Sequence, residues 1–170
     1  MSSSLIRNNP AIQYSLLFCI LVISSLYMGL LISLHLIWYP GWSAITIDTL
    51  DLNFSRPAKE AVRIFKPLVI VIDLASIVLI FFTKGKKRRF LSVCLVFLLA
   101  LFTFISARYV IPLNIELANL TDGRFLNEKL LLWMRYNDYR MVIIILVWLL
   151  ALALLIDLSK KQGTIYSKRQ

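Results

Sequence analysis

The polar residues between positions 108 and 140 have types and spacings that apolar packing alone does not explain. The stretch carries an arginine at each end, a Pro-Leu-Asn bend and the carboxylate of Glu116. Near its end, Trp133, Asn137 and Arg140 are spaced at i, i+4 and i+7, which places them on one stripe of a helix. An indole, an amide and a guanidinium on one stripe supply hydrogen-bond donors and a positive charge. We therefore expect a polar cluster here.

Two ionisable residues outside this stretch are further candidates for chemistry. Asp73 lies inside an apolar run, where a carboxyl group is costly and is usually either functional or paired with a cation. Its candidate partners are Lys66, seven residues earlier on the same face, and the arginines at positions 108 and 140. His35, the only histidine, stands beside aromatic residues typical of a membrane interface, so an interfacial and a functional role are both open.

These residues must be positioned by helices that cross a membrane. Hydrophobic residues make up 59% of the 170, against roughly 45–50% in soluble domains. The apolar runs are continuous and do not alternate, which excludes a transmembrane β-barrel. They predict one all-α domain, a polytopic transmembrane four-helix bundle with spans at about 14–38, 67–82, 90–111 and 139–158. A loop at 43–56 with a short extended piece and an interfacial helix at about 57–66 are predicted between the first two spans.

Basic residues are concentrated on one side of the predicted bundle. The N-terminal segment, the connection at 84–89 and the C-terminal tail hold ten Lys and Arg against one acid, Asp157. The positive-inside rule therefore places both termini in the cytoplasm and the polar cluster near the outer face of a plasma or bacterial inner membrane. We expect the basic segments to contact membrane lipid and not nucleic acid, because they lack interleaved aromatic residues for base stacking.

Metal, thiol and cofactor chemistry find little support in the sequence. Cys19 and Cys94 lie far apart in apolar runs, which is typical of buried, inert thiols. One histidine and scattered carboxylates form no recognisable ligand set, and a haem with two axial histidines cannot be held by one chain. We expect neither a metal nor a cofactor.

Two motifs in the last third of the chain resemble a known family. The segment from Ile111 to Ala118 and the spacing W-x-x-x-N-x-x-R that follows it are similar to those of the DUF1772, or anthrone-oxygenase-like, family of small four-helix membrane proteins. Its members show V-P-x-N-x-x-L after the third helix and a start to the fourth resembling W-x-R-W-N-x-x-H-x-x-R. The matching residues are Pro112, Asn114, Leu117, Trp133, Arg135, Asn137 and Arg140. Tyr136 replaces the second tryptophan, and Tyr139 replaces the histidine.

The resemblance implies a cofactor-independent oxygenase that acts on an apolar aromatic or lipid-like molecule. A few members are linked to oxidation of anthrones to anthraquinones without a metal or flavin. Such chemistry needs a base to form a carbanion or enolate, and donors where negative charge develops. The candidate bases are Asp73 and His35, and the candidates for holding the oxyanion are Arg108, Arg140, Asn114 and Asn137. Trp133 and Tyr136 are candidates for stacking on rings, and Tyr27 for lining the cavity.

Two other functions are open at this point. A non-enzymatic scaffold or accessory subunit would bind lipid, another membrane protein or a second copy of the chain through a ridge of small residues at Ser25, Gly29 and Ser33. A small transporter would use Asp73 as an ion site, but no internal repeat is evident. The interior distinguishes the enzyme from the scaffold. An enzyme needs an enclosed pocket that reaches Asp73, whereas a scaffold should be filled by side chains there.

Overall fold

The fold is known from a computed structural model, which describes residues 9–42 and 44–167, with side chains to Lys160. Every element in this part of the chain is helical, and four helices are long and apolar enough to cross a membrane. They are α1 Pro10–Trp42, α2 Ile47–Phe82, α3 Lys86–Ala118 and α4 Leu126–Ser167, which follows a 3₁₀ turn at Gly123–Phe125. The predicted all-α four-helix membrane fold is confirmed. Some positions lie outside the described residues. They are Ser43, the first residue of the predicted loop, and four of the ten basic residues counted above: Arg7, Lys168, Arg169 and the side chain of Lys161.

Local sequence explains where the helices begin and end. The side chain of Asn9 accepts a hydrogen bond from the backbone N–H of Ala11 at 3.0 Å and so caps the start of α1. Thr46 and Thr49 form a reciprocal cap at the start of α2. Gly85 makes the tight turn from α2 to α3 with φ +94°, a conformation that strains any residue with a Cβ atom.

Three of the helices contain one wide, π-helical turn, and a proline follows each turn at the same distance. The pairs are Leu34–Trp38 with Pro40, Asp51–Ser55 with Pro57, and Ser106–Val110 with Pro112. A proline inside a helix lacks an N–H, and its ring clashes with the carbonyl four residues earlier. In all three cases that carbonyl belongs to the wide turn, which leaves room for the ring. Each helix therefore continues through its proline.

The structure differs from the predicted segments in four places, and three of these differences follow from the wide turns of α2 and α3. Residues 47–55, expected in a loop with an extended piece, are helical. The predicted interfacial helix at 57–66 is the first part of a continuous α2. The Pro-Leu-Asn segment at 112–114, expected to bend the chain, lies within α3. The fourth helix begins at Leu126, thirteen residues before the predicted start of its span.

The bundle has two apolar cores, one above the other along its axis. We call the end with the 84–89 connection the basic end and the opposite end the aromatic end. In the half nearer the basic end, all four helices bury a continuous aliphatic core that includes Leu95. At the aromatic end, the rings of Trp42, Phe54 and Trp133 pack with leucines of α2, α3 and α4.

Helix lengths and contacts give the depths of the polar residues. Arg88 of α3 pairs with Asp157 of α4 at 3.3 Å and marks the basic end. The guanidinium of Arg140 lies on the ring of Phe102, ten residues beyond Ser92, and Ser92 is hydrogen-bonded to Thr83 at the end of α2. Arg140 is therefore roughly 15 Å along the axis from that end, near the middle of a hydrocarbon layer about 30 Å thick. Asp73 lies ten residues before Thr83, where α2 ends, and is therefore roughly 15 Å from the basic end, near mid-membrane.

The ridge of small residues on α1 does not serve as a contact between helices at its centre. Gly29 is exposed, and a Cβ atom built on it meets no other atom within 4 Å. Ser25 accepts a hydrogen bond from the indole Nε1 of Trp148 at 2.9 Å. The ridge therefore faces away from the bundle interior at Gly29.

Candidate functional site

A cavity of about 400 Å³ lies between the four helices in the half nearer the aromatic end. This volume is within the range of small-molecule sites. Most of its wall is apolar, and it extends from the aromatic cluster at Trp42 to Asp73. Six of the residues that the sequence suggested for a site lie on this wall: Tyr27, Asp73, Asn114, Trp133, Asn137 and Arg140.

Arg140 is the buried positive charge of the cavity, with 7% of its surface exposed. Its Nη1 donates to Oδ1 of Asn137 at 2.6 Å, and its Nη2 donates to the hydroxyl of Tyr27 at 3.3 Å. The guanidinium carbon lies 4.7 Å from the ring centre of Phe102, a cation–π contact. No described carboxylate lies within 4.0 Å of it. Its charge is therefore held by dipoles and rings, without a counter-ion from the described chain.

Asp73 stands at the deep end of the cavity and is half-buried. Its Oδ2 accepts a hydrogen bond from the hydroxyl of Thr103 on α3 at 3.0 Å, and its Oδ1 has no partner among the described residues. The ion pair with Lys66, Arg108 or Arg140 that the sequence left open does not form, since no N···O distance is within 4.0 Å. One carboxylate oxygen is thus held in place while the other is buried without a partner among the described residues.

Hydrogen bonds between side chains and backbone organise the wall near the aromatic end. The indole Nε1 of Trp133 donates to Oδ1 of Asn114 at 2.6 Å, which joins α4 to α3. The amide of Asn137 donates to the carbonyl of Trp133 at 2.9 Å, so its Oδ1 is oriented toward Arg140. The ring of Trp42 lies 5.2 Å from that of Trp133, centre to centre. The indole N–H of Trp133 and the amide of Asn137 are therefore each fixed by a neighbour.

Three buried side-chain polar atoms lack a hydrogen-bond partner in the described part of the chain. They are Nε1 of Trp42, Oδ1 of Asp73 and Nε of Arg140. Leaving such an atom unpaired costs about 1–3 kcal/mol, so native structures contain few of them without a reason. All three residues line the same cavity. The residues that carry this unmet hydrogen-bonding capacity, two donors and one carboxylate oxygen, therefore border one cavity.

Three of the residues suggested by the sequence lie away from the cavity. His35 is exposed, and its Nδ1 lies 3.0 Å from Oδ1 of Asp138, which joins α1 to α4 at the aromatic end. Tyr136 stacks on Tyr109 with ring centres 4.4 Å apart. Arg108 is exposed with its guanidinium 6.0 Å from the centre of the same Tyr109 ring. None of the three is on the cavity wall.

Two residues at the site were not expected from the sequence: Thr103, which is on the cavity wall, and Phe102, which contacts Arg140 but is not on the wall. Thr103 orients Asp73, and Phe102 lies beneath the guanidinium of Arg140. A hydroxyl inside the apolar third span was a visible signal for Thr103, whereas a phenylalanine in such a span carries none. Within the described residues, no three His, Cys, Asp or Glu side chains are grouped to hold a metal ion.

Fold and site together define a multi-pass membrane protein with a ligand-sized cavity inside its bundle. No family model, curated protein or solved structure matches the chain.

Proposed function

We propose that the protein binds an apolar aromatic or lipid-like molecule in this cavity and oxidises it as a cofactor-independent oxygenase. The observation that carries the proposal is that the three residues with an unpartnered buried polar atom, Trp42, Asp73 and Arg140, all line one mostly apolar cavity. A flat hydrophobic molecule with an oxygen substituent complements such a wall, because its oxygen accepts from the unpaired donors and its rings fill the apolar space.

The residues divide into roles that suit proton abstraction followed by reaction with dioxygen. The carboxylate of Asp73 removes a proton from an activated CH₂ group of the substrate. Arg140 and the indole N–H of Trp42 donate to the oxygen where the enolate charge develops. The enolate carbon then adds dioxygen, and the peroxide anion takes back the proton held by Asp73. The resulting hydroperoxide loses water to leave a carbonyl. The CH₂ group and one O₂ thus become C=O and H₂O, with O₂ as the oxidant.

Resemblance to the anthrone-oxygenase-like family also supports the proposed oxygenase function. Four residues of its motifs, Asn114, Trp133, Asn137 and Arg140, lie on the cavity wall and are linked by hydrogen bonds. Tyr139, which stands where the family has a histidine, is 52% exposed. We propose membership of that family, with Asp73 as the base in place of a group at position 139.

The scaffold alternative is less well supported by the interior. A scaffold or accessory subunit was expected to fill the space at Asp73 with side chains, and a cavity reaches this residue instead. The outward-facing Gly29 still suits contact with lipid or with another protein. We place the basic end on the cytoplasmic side of a cell membrane, because Lys84, Lys87 and Arg89 are exposed there.

Oxygen uptake with an anthrone as the substrate tests the proposal. Purified protein in vesicles is supplied with the anthrone, and O₂ consumption is compared with that of protein-free vesicles. We expect Asp73→Asn, which keeps the size of the side chain, to slow the catalysed rate by about 100-fold or more. The matched control is Asp48→Asn, an exposed carboxylate outside the cavity, with an unchanged rate. Equal rates for wild type and Asp73→Asn would refute a catalytic base at this position.

Mass spectrometry of co-purifying small molecules tests binding separately from catalysis. We expect an aromatic or isoprenoid molecule bound to the wild type and to Asp48→Asn, and its loss from Arg140→Met. If all three proteins carry only bulk phospholipid and fold equally well, the ligand site is refuted and the scaffold function is favoured.

A further inference from the structure

We propose that the cavity takes its ligand directly from the surrounding bilayer, through a side opening between α2 and α3. The inference rests on the proposed ligand site. It adds the physical state of the ligand, a molecule dissolved in the hydrocarbon layer and not in water, and it assigns the residues that control its access.

The rim of the opening consists of two residues from each helix. Lys66 and Ile70 of α2 and Ala107 and Ile111 of α3 all line the cavity, and all four are also exposed on the outside of the bundle. Ile70 is 52% exposed and Ile111 is 39% exposed. Side chains that line a cavity and are also exposed mark the place where the cavity meets the outside. Ala107 has the smallest side chain of the four.

Ring contacts join neighbouring helices along two of the other three helix boundaries. Tyr27 of α1 packs edge-on against Phe65 of α2 with ring centres 4.7 Å apart. Tyr109 of α3 stacks on Tyr136 of α4 at 4.4 Å. The α1–α4 boundary is joined by the hydrogen bond from Arg140 to Tyr27. Among the described ring contacts, none joins α2 to α3 beside the cavity.

Toward the aromatic end, the cavity is covered by buried rings. Trp42, Phe54 and Trp133 are between 1% and 6% exposed and lie 5.1 to 5.3 Å from one another, centre to centre. Three wall residues outside this cover are exposed near the same end: Trp38, Asn53 and Pro57. They define the competing route, which starts at the membrane surface.

The depth of the side opening places it in lipid. Asp73 and Thr103 are hydrogen-bonded near mid-membrane and form the limit of the opening toward the basic end. Ala107 and Ile111 lie roughly 6 Å and 12 Å further along α3 toward the aromatic end. Lys66 lies roughly 10 Å from Asp73 along α2, where its long side chain can reach the headgroup layer. An amphiphile in the bilayer can therefore keep its polar group near Lys66 while its rings pass Ala107.

The test measures how fast a bilayer-dissolved probe reaches the cavity. The full-length protein in vesicles is mixed with vesicles containing a diazirine-bearing alkylphenol, and flashes at successive times are followed by peptide mass spectrometry of the cavity wall. Ala107→Phe narrows the opening and should slow labelling by about tenfold. The matched control is Ala100→Phe, two turns away on the same exposed face of α3 and off the cavity wall, with labelling within about twofold of wild type. Ile70→Ala widens the opening and should speed labelling.

The outcomes separate the route from the site. Wild-type labelling rates in both Ala107→Phe and Ile70→Ala, with labelling abolished by Arg140→Met, would overturn the side opening and favour the route beside Trp38 while the site stands. An absence of cavity labelling in the wild type would refute the site and the opening together. Equal slowing by Ala107→Phe and Ala100→Phe would attribute the effect to the added ring at any position and would also overturn the opening.

Discussion

The two halves of this bundle treat their polar groups in opposite ways. Toward the basic end, polar side chains have partners: Gln13 donates to the carbonyl of Phe82 at 2.8 Å, and Thr83 donates to that of Leu79 at 2.7 Å. Toward the aromatic end lie the cavity, the three wide turns and all three buried polar atoms that lack a partner among the described residues. One half is packed with its polar groups paired, and the other contains a cavity and unpaired hydrogen-bonding groups.

The contrast shows where a membrane bundle can accommodate function. Helix association in lipid depends on close packing and satisfied hydrogen bonds, because lipid tails are as apolar as leucine. The filled half supplies that association. The other half can then tolerate a void and an uncompensated charge at Arg140, provided that a ligand later occupies them.

Truncating a leucine in each half should give the largest difference in stability. Leu95 is fully buried in the filled half, so Leu95→Ala should lower the free energy of unfolding by about 2–4 kcal/mol. Leu30 borders the cavity and already lacks neighbours on one side, so Leu30→Ala should cost less than about 1 kcal/mol. Denaturant titration of the two variants in mixed micelles measures both losses.

Replacing one arginine in each half by methionine should separate the effect on ligand binding from the effect on stability. Arg140→Met removes a buried charge without a counter-ion, so stability should change by less than about 1 kcal/mol, while the dissociation constant of a bound ligand should rise about tenfold or more. Arg88→Met instead leaves Asp157 without its partner, which should weaken folding by up to about 1 kcal/mol and leave binding unchanged. Thermal melting and ligand titration check both. Weaker binding in the Arg88 variant alone would reverse the assigned roles of the two halves.

Much of the frame could be predicted from the sequence, because lipid leaves few alternatives for an apolar chain. Continuous apolar runs demand helices, and four runs give four spans. The stripe of Trp133, Asn137 and Arg140 also lies on one wall as predicted, since a regular helix carries this spacing to one face.

The rest depends on contacts between helices, which spacing within one helix does not contain. His35 meets Asp138, a residue 103 positions away. Asp73 accepts a hydrogen bond from Thr103 and pairs with no cation among the described residues. The rotation of α3 relative to α2 determines this choice of partner. The wide turn at Ser106–Val110 adds to that rotation, so the faces of α3 beyond it do not follow a period of 3.6 residues.

Loss of a wide turn should have a moderate effect that is confined to the cavity. Pro112→Ala restores an N–H for the carbonyl of Arg108, so the turn can tighten, which rotates the end of α3 and moves Asn114 on the wall. We expect ligand affinity to fall by about threefold to tenfold, with little change in melting temperature. The control is Pro67→Ala, within the regular α-helical part of α2. Equal affinity in both variants would show that the wide turn does not shape the site.

A surface ion pair at the aromatic end should have the smallest effect. The guanidinium and backbone N–H of Arg124 hold the pKa of Asp122 below its usual range. A lowered pKa in the folded state stabilises the fold at pH values above the unfolded-state value, near 3.8, and this stabilisation is lost as the pH falls through the folded-state pKa. Asp122→Asn keeps a capping oxygen and removes the charge, so at pH 7 its melting temperature should lie less than about 2 °C below that of wild type. That gap should narrow as the pH falls below 3.8. A larger gap, or one that persists in acid, would mean that the exposed surface at the aromatic end contributes to stability beyond this pair, and the contrast between the two halves would no longer rest on their interiors alone.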